Sequence, residues 1–318
     1  MSQAEQASES ERGPRVDIPA LLSDPTPTFS FEFSPPRDDA GEKLLWEAIR
    51  RVEQARPSFI SVTYGAGGST RDRTVRVTGR IERETTLSTM AHLTCVGSSI
   101  AELRQVVGEY ADAGIRNILA LRGDPAGGLG TSWTAHPEGL DHADQLVSLV
   151  ASLGAFTIGV AAFPDKHPES ATLQEEADVL VRKADAGASF AITQMVTDVD
   201  TYLRLRDLVA SRGRDLPIVP GLMPVTYASQ LERMTKLNGQ PLASDVVERI
   251  QGVAGDKDAV RRVGVQICTE HATRLLKEGA PGIHFITMNR SVATLEVYRN
   301  VAGSTAFAPH TARTPVSA

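Results

Sequence analysis

The chain has 318 residues, 41% of them hydrophobic and 23% charged, with a formal net charge of −6 at pH 7. This is the balance of an ordinary soluble globular protein, and the negative sign argues against nucleic acid or an anionic membrane as a partner. No apolar run approaches the roughly 18–20 residues of a membrane helix, and the polar start lacks the basic and apolar segments of a secretory leader.

In chain order, residues 1–27 carry Ala, Glu, Ser and Pro with little periodicity and are expected to be a flexible tail, in which Val16 to Leu22 has room for a helical turn or more. Eight short apolar runs follow, starting at Phe29, Phe59, Met90, Asn117, Phe156, Phe190, Ile218 and Ile283. Each is rich in Ile, Val, Phe or Thr, as buried strands are. Helical periodicity fills the gaps. Ile100, Leu103, Val106, Val107 and Tyr110 make one apolar stripe, with an N-cap at Ser98 or Ser99 and a stop at Gly114. Ala111-Asp112-Ala113-Gly114 recurs as Ala184-Asp185-Ala186-Gly187, each time just before a strand. Eight strand–helix repeats of about 30 residues predict an α/β fold, a (β/α)8 TIM barrel over residues 28–302. The rival, a doubly wound open sheet, would carry a Gly-rich phosphate turn after its first strand, and Phe33-Ser34-Pro35-Pro36 is not one. The long last gap holds helices near Ala243–Val253 and Lys257–Lys277, an extra helical insertion before the last strand. Residues 303–318, rich in Ala, Thr and Pro, are expected to be a second flexible tail.

Reactive residues of such barrels gather at the C-terminal ends of the strands. The eight runs deliver there Glu32; Thr63, Tyr64 and the Gly65–Gly68 stretch; His92 and Thr94; Arg122-Gly123-Asp124; Phe163 and His167; Gln194; Pro220-Gly221 with Gln230 beyond; and Asn289-Arg290. Glu32, between Phe31 and Phe33, is costly to desolvate. Burial is expected to raise its pKa and make it a proton donor, the alternative being a Glu paired with a buried Arg. Arg122-Gly123-Asp124 offers a cation for phosphate, a backbone open to close approach and an acceptor for a ring N–H, or simply a surface turn. His92 has the reading of a satisfied core histidine. No Lys at the mouth end of a run suits a Schiff-base aldolase, and no Gly-x-Ser-x-Gly elbow suits a serine hydrolase. Cys95 and Cys268 lie in no metal-ligand spacing and are expected to be buried, reduced thiols of a cytoplasmic protein. From spacing alone the function stops at a barrel enzyme with an anionic ligand and one buried carboxylate. A metal-dependent lyase or hydrolase using Glu32, His92 and Asp124 stays open.

Seven segments in order carry a resemblance. They are Phe31-Glu32-Phe33-Ser34-Pro35-Pro36, Val62-Thr63-Tyr64-Gly65-Ala66, His92-Leu93-Thr94-Cys95, Leu121-Arg122-Gly123-Asp124, His167-Pro168-Glu169, Ala191-Ile192-Thr193-Gln194, and His284-Phe285 leading to Asn289-Arg290. Together, from about residue 28 to 300, they resemble the methylenetetrahydrofolate reductase family, in its short bacterial form. The resemblance implies a barrel holding FAD, reduced by NADH or NADPH, that reduces 5,10-methylenetetrahydrofolate to 5-methyltetrahydrofolate for methionine biosynthesis. A reductase of the same substrate that works without flavin, or a folate-binding barrel without catalysis, are the alternatives. It implies Glu32 as proton donor and Asp124 as the carboxylate beside both ring systems. Gln194, Gln230 and Arg290 are implied folate contacts. Thr63 falls on a nicotinamide-contacting position. Tyr64, Ala66, His92, Arg122, Gly123, Ala143, Phe163, His167, Arg182 and Lys183 fall on flavin-contacting positions. The chain departs from the family at Phe163, where some members carry Tyr, at Val179 in place of Asn, and at Met195-Val196-Thr197, where relatives are aromatic. Folate is thus the expected partner, with a homo-oligomer left open.

Overall fold

The computed structural model describes residues 16–64, 68–125 and 132–303. Eight parallel strands close a barrel in sequence order: β1 (Thr28–Phe33), β2 (Phe59–Val62), β3 (Thr89–Thr94), β4 (Asn117–Leu121), β5 (Thr157–Ala162), β6 (Phe190–Met195), β7 (Ile218–Leu222) and β8 (Gly282–Ile286). A short helix, α1 (Ile18–Leu22), precedes β1. The connections are α2 (Asp39–Glu53), α3 (Gly68–Glu84), α4 (Ile100–Asp112), α5 (Ala143–Leu153), α6 (Leu173–Asp185) and α7 (Val199–Ser211). Between β7 and β8 lie α8 (Gln230–Asn238), α9 (Ser244–Gln251) and α10 (Lys257–Lys277), and α11 (Ser291–Ala302) follows β8. The expected (β/α)8 barrel with a helical insertion is the observed architecture. The sequence reading anticipated α9 and α10 but not α8.

Local chemistry explains the repeats. Ser99 caps α4, and Glu102 reaches back to close a capping box. The two Ala-Asp-Ala-Gly segments end α4 and α6 alike. Gly114 and Gly187 take positive φ and donate to the carbonyls of Ala111 and Ala184, and the next residues, Ile115 and Ala188, donate to Tyr110 and Lys183. The chain turns out of each helix directly into a strand.

Strand alternation divides the core into two. Phe29, Phe31 and Phe33 point outward and join the layer under the helices with Leu45, Ile49, Phe285 and Val297. The barrel interior holds Phe59, Met90, Leu119, Phe190, Ile192 and Val219, and Ile18 and Leu22 of α1 pack onto them. Gly159 makes this layer fit, because a Cβ there would lie 2.6 Å from the Phe190 ring. The helix α1 corrects the expected boundary at residue 28: Ile18 is wholly buried, so packed structure begins inside the segment expected to be a tail. The insertion builds a second core of Val225, Leu231, Met234, Val246, Ile250, Val260 and Ile267 against Met195 of β6. Both cysteines are free and buried.

Candidate active site

A polar layer sits above the apolar interior. Period-two alternation turns Ser30 and Glu32 into the barrel while their Phe neighbours face the helices. Parallel register sets His284 beside Ser30 and Ser61 beside Glu32. The Glu32 carboxylate, 22% exposed, has Oε2 3.4 Å from Nε2 of His284 and 3.8 Å from Nε2 of His92, and Oε1 accepts from the Thr63 hydroxyl at 3.3 Å. No buried Arg pairs with it among these contacts. The expected rise in its pKa is corrected. Burial does push the carboxyl up, but the hydrogen bond to His284, the electrostatic pull of the His92 and His284 imidazoles and the Thr63 hydroxyl outweigh it, and Glu32 lies below its ordinary value. Burial pushes His92 the other way, down to about 4 against the opposing pull of Glu32, so its ring is neutral near pH 7.

Beyond β4, Asp124 is exposed and Arg122 half-buried. Both guanidinium arms of Arg122 meet the Glu169 carboxylate, at 2.6 and 2.8 Å, and its plane lies 4.6 Å over the Trp133 ring. Gly123 has φ +85°, and a Cβ there would come within 2.6 Å of Val96 and 3.0 Å of Thr94. Beyond β5, Phe163 and His167 meet edge to face at 4.8 Å. The His167 N–H and the Ser170 hydroxyl donate to Oε2 of the buried Glu176, while its Oε1 has no partner among the described residues. Lys183 is buried, with Nζ donating to the Ala161 carbonyl at 2.8 Å, and burial holds its pKa down. Arg182 is exposed in the last turn of α6. Ala143 opens α5, and Tyr64 is buried at the end of β2. Ala66 lies outside the described residues.

On the insertion side a cavity of about 210 Å³ is lined by Gln230, Arg233, Tyr227, Leu237, Met288 and Arg290, among others. Gln230 is buried and engaged: its Oε1 accepts from the Thr226 N–H and hydroxyl, and its Nε2 donates to the Pro224 carbonyl. Arg290 is exposed and follows two left-handed residues, Met288 and Asn289. The Asn289 amide exchanges two 2.9 Å bonds with the Ser34 backbone and so ties the ends of β1 and β8 together. Gln194 at the end of β6 accepts from the Met195 N–H and donates weakly to the Leu237 carbonyl, linking the barrel to α8.

The structure therefore brings Glu32, Thr63 and His92 into one cluster. It sets Arg122, Phe163 and His167 around Glu169 and Glu176, and Gln230 and Arg290 around a separate cavity. Among the described residues no group of three His, Cys, Asp or Glu side chains has metal-holding geometry. Sequence reasoning assigned no role to His284, Ser30 or Ser61. The signal was present in Ser30-x-Glu32, two polar residues at strand spacing inside an apolar run.

A parallel barrel with a carboxylate, two imidazoles and separate cationic clusters at one end defines a class of small-molecule enzymes. The comparisons give the family. The model of methylenetetrahydrofolate reductase matches residues 18–302. The 5,10-methylenetetrahydrofolate reductases of Pectobacterium carotovorum and Escherichia coli are each 39% identical, over 264 and 262 residues, covering 82% of this chain and 86% of theirs. Methylenetetrahydrofolate reductase 1 of Schizosaccharomyces pombe is 34% identical over 265 residues, 82% of this chain and 44% of its own. The chain belongs to the methylenetetrahydrofolate reductase family. A solved structure of an uncharacterized Clostridium thermocellum protein, described as binding two copies of 5-methyl-5,6,7,8-tetrahydrofolic acid, superposes with TM-score 0.60 at 14% identity, covering 89% of this chain and 95% of its own; it shares the fold.

Proposed function

We propose that the protein reduces 5,10-methylenetetrahydrofolate to 5-methyltetrahydrofolate, with FAD as the hydride carrier and NADH or NADPH as the donor. The observation that carries this reading is the Glu32 cluster: a carboxylic acid on the barrel wall, reachable from the mouth and held by Thr63 and His284. Opening the five-membered ring needs a proton on the leaving nitrogen as the carbon–nitrogen bond breaks. Glu32 supplies it, and the resulting iminium carbon accepts hydride.

The residues of the β4–β5 side suit a flavin nucleotide. Oε1 of Glu176 and Oγ1 of Thr94 are buried without partners among the described residues, as ribose hydroxyl and ring-edge contacts require. Gly123, held at φ +85° against Val96 and Thr94, carries no side chain and offers bare backbone to a planar group. Arg122, and Lys183 with Arg182 on α6, are the cations for a pyrophosphate, and Phe163 and His167 form an aromatic wall. Tyr64, Ala66, His92 and Ala143 complete this set, and Thr63 also meets the nicotinamide. Bound flavin supplies the two-electron relay between nicotinamide and folate. Asp124 lies beside Gly123 and serves as acceptor to the ring systems. On the opposite side, Gln194, Gln230 and Arg290 hold the folate, with the exposed guanidinium of Arg290 for the glutamate carboxylates.

The test is an absorbance spectrum of the purified protein before and after NADH or NADPH, then after methylenetetrahydrofolate. A flavin band that bleaches with the nicotinamide and returns with the folate is expected. A colourless protein that still oxidises NADH with methylenetetrahydrofolate would transfer the flavin-free alternative to first place.

A further inference from the structure

His284 is fully buried beneath Glu32, and beyond that contact no role has been given to it. Its ring stacks on Phe59 at 6.2 Å. Nδ1 lies 2.7 Å from the Ser30 hydroxyl; Nε2 lies 3.4 Å from both the Ser61 hydroxyl and Oε2 of Glu32. The titratable groups facing it are Glu32 on β1 and His92 on β3; its other neighbours, Ser30, Ser61 and Phe59, do not titrate near neutrality.

Donor and acceptor chemistry orders this network. An ionised carboxylate only accepts, so Nε2 carries the hydrogen that points at Oε2. In the neutral ring Nδ1 is then the acceptor, and the Ser30 hydroxyl is the donor at a normal O–H···N length. Thr63 has one hydroxyl hydrogen and two acceptors in reach, Oε1 of Glu32 at 3.3 Å and the Phe33 carbonyl at 3.2 Å. When Oε1 becomes protonated, that hydrogen turns to Phe33 and the hydroxyl oxygen receives the acid proton. Oε2 has no such freedom, because the Nε2–H of His284 already points at it and a proton there would set two hydrogens face to face.

We propose that His284, its ring fixed by Ser30, is the positioning residue of the proton donor, holding Oε2 of Glu32 so that the transferable proton resides on Oε1 beside Thr63. In the transfer the Oε1–H bond breaks and an N–H bond forms on the leaving nitrogen. The electron pair of the broken carbon–nitrogen bond is shared with that proton. The carboxylate left behind is held by Nε2–H and the Thr63 hydroxyl until solvent water returns a proton. The proposal rests on the reading of Glu32 as the acid.

The experiment uses the full-length protein carrying His284→Leu, His284→Gln or Ser30→Ala. Imidazole ¹⁵N spectra should show His284 with its hydrogen on Nε2, and Ser30→Ala should disturb that assignment. Single-turnover oxidation of the reduced enzyme by methylenetetrahydrofolate should slow about tenfold to a hundredfold in His284→Leu, with little change in folate KM. The step needs protonated Glu32, so its rate falls as pH rises through the carboxyl pKa. Removing the Nε2–H donor destabilises the carboxylate and moves that falling limb to higher pH. His284→Gln, which keeps an N–H, should restore part of both. A folded His284→Leu protein whose limb does not move, or a His284 ring with its hydrogen on Nδ1, would overturn the proposal. If His284→Leu does not fold, Ser30→Ala decides: an unchanged tautomer and rate refute it. Normal folate turnover in Glu32→Gln would instead remove the reading of Glu32 and leave the tautomer result standing by itself.

Discussion

Glu32 has an environment that stabilises its charged form, with one imidazole at hydrogen-bonding distance, another at 3.8 Å and a hydroxyl on the second oxygen. A general acid in such a place works when substrate binding excludes water and a developing basic nitrogen is delivered against it. Glu32→Gln keeps shape and hydrogen bonding but has no proton to give. The folate half-reaction should fall by about 10²–10⁴-fold while reduction by the nicotinamide is spared, read by stopped-flow absorbance of each half-reaction. Equal losses in both would make Glu32 a structural residue. The identity of this carboxylate was legible in the sequence, because a charge inside an apolar run is costly without a purpose. The direction of its pKa was not. That depends on His284, which lies 252 residues away in the chain and reaches Glu32 only through the closure of β8 onto β1. Arg122 teaches the same point: its charge was visible, its bidentate partner Glu169 was not.

At the scale of elements, strands and helices were legible wherever periodicity and caps agreed, as in α4, where stripe, Ser99 cap and Gly114 stop all coincide. The insertion was less so. The helix α8 has nine residues with Ser229 at its start making no side-chain cap, and its apolar residues Leu231 and Met234 face a core made mostly by the insertion, to which the barrel adds Met195 of β6. What fixes that subassembly is backbone proximity. A Cβ on Gly264, in the middle of α10, would overlap the Val225 carbonyl oxygen in the loop after β7. Gly264→Ala must therefore push α10 away from the segment that carries Gln230. The overpacking should cost about 1–3 kcal/mol, outweighing the roughly 1 kcal/mol that alanine gains in a helix. Chemical denaturation should show the loss, with folate KM raised and the nicotinamide half-reaction unaffected. A stabilised variant would mean that the loop yields freely and does not set the geometry of the cavity.

For the whole molecule, acidification acts through the polar layer. The folded His92 titrates near 4 against 6.5 for a free imidazole, so between those values the unfolded chain binds a proton the fold refuses. Stability should fall as pH drops through that window, and Glu32, whose folded pKa is also low, extends the loss to more acid pH. His92→Gln should flatten the slope of urea-unfolding free energy between pH 6.5 and 4; an unchanged slope would show that His92 titrates normally. The opposite end of the barrel is closed by α1; the sequence left room for a helical turn at Val16 to Leu22, but the composition of the first 27 residues concealed that it packs on the barrel floor. Asp17 caps the helix and Pro19 opens its first turn, two local signals that a five-residue element offers too briefly to stand out. Ile18 and Leu22 rest on Phe59, Met90, Leu119 and Phe190, which would otherwise meet solvent through the open bottom of the barrel. Ile18→Ala should cost about 2–5 kcal/mol. At about 2–4 °C per kcal/mol, that is a fall in Tm of roughly 4–20 °C. Removing residues 1–24 should do at least as much and add dye binding to the uncovered apolar floor. Since the Glu32 cluster lies a full layer above, the folate half-reaction measured well below Tm should change less than twofold. A truncated protein with the parent's Tm would return residues 16–24 to the status of a tail.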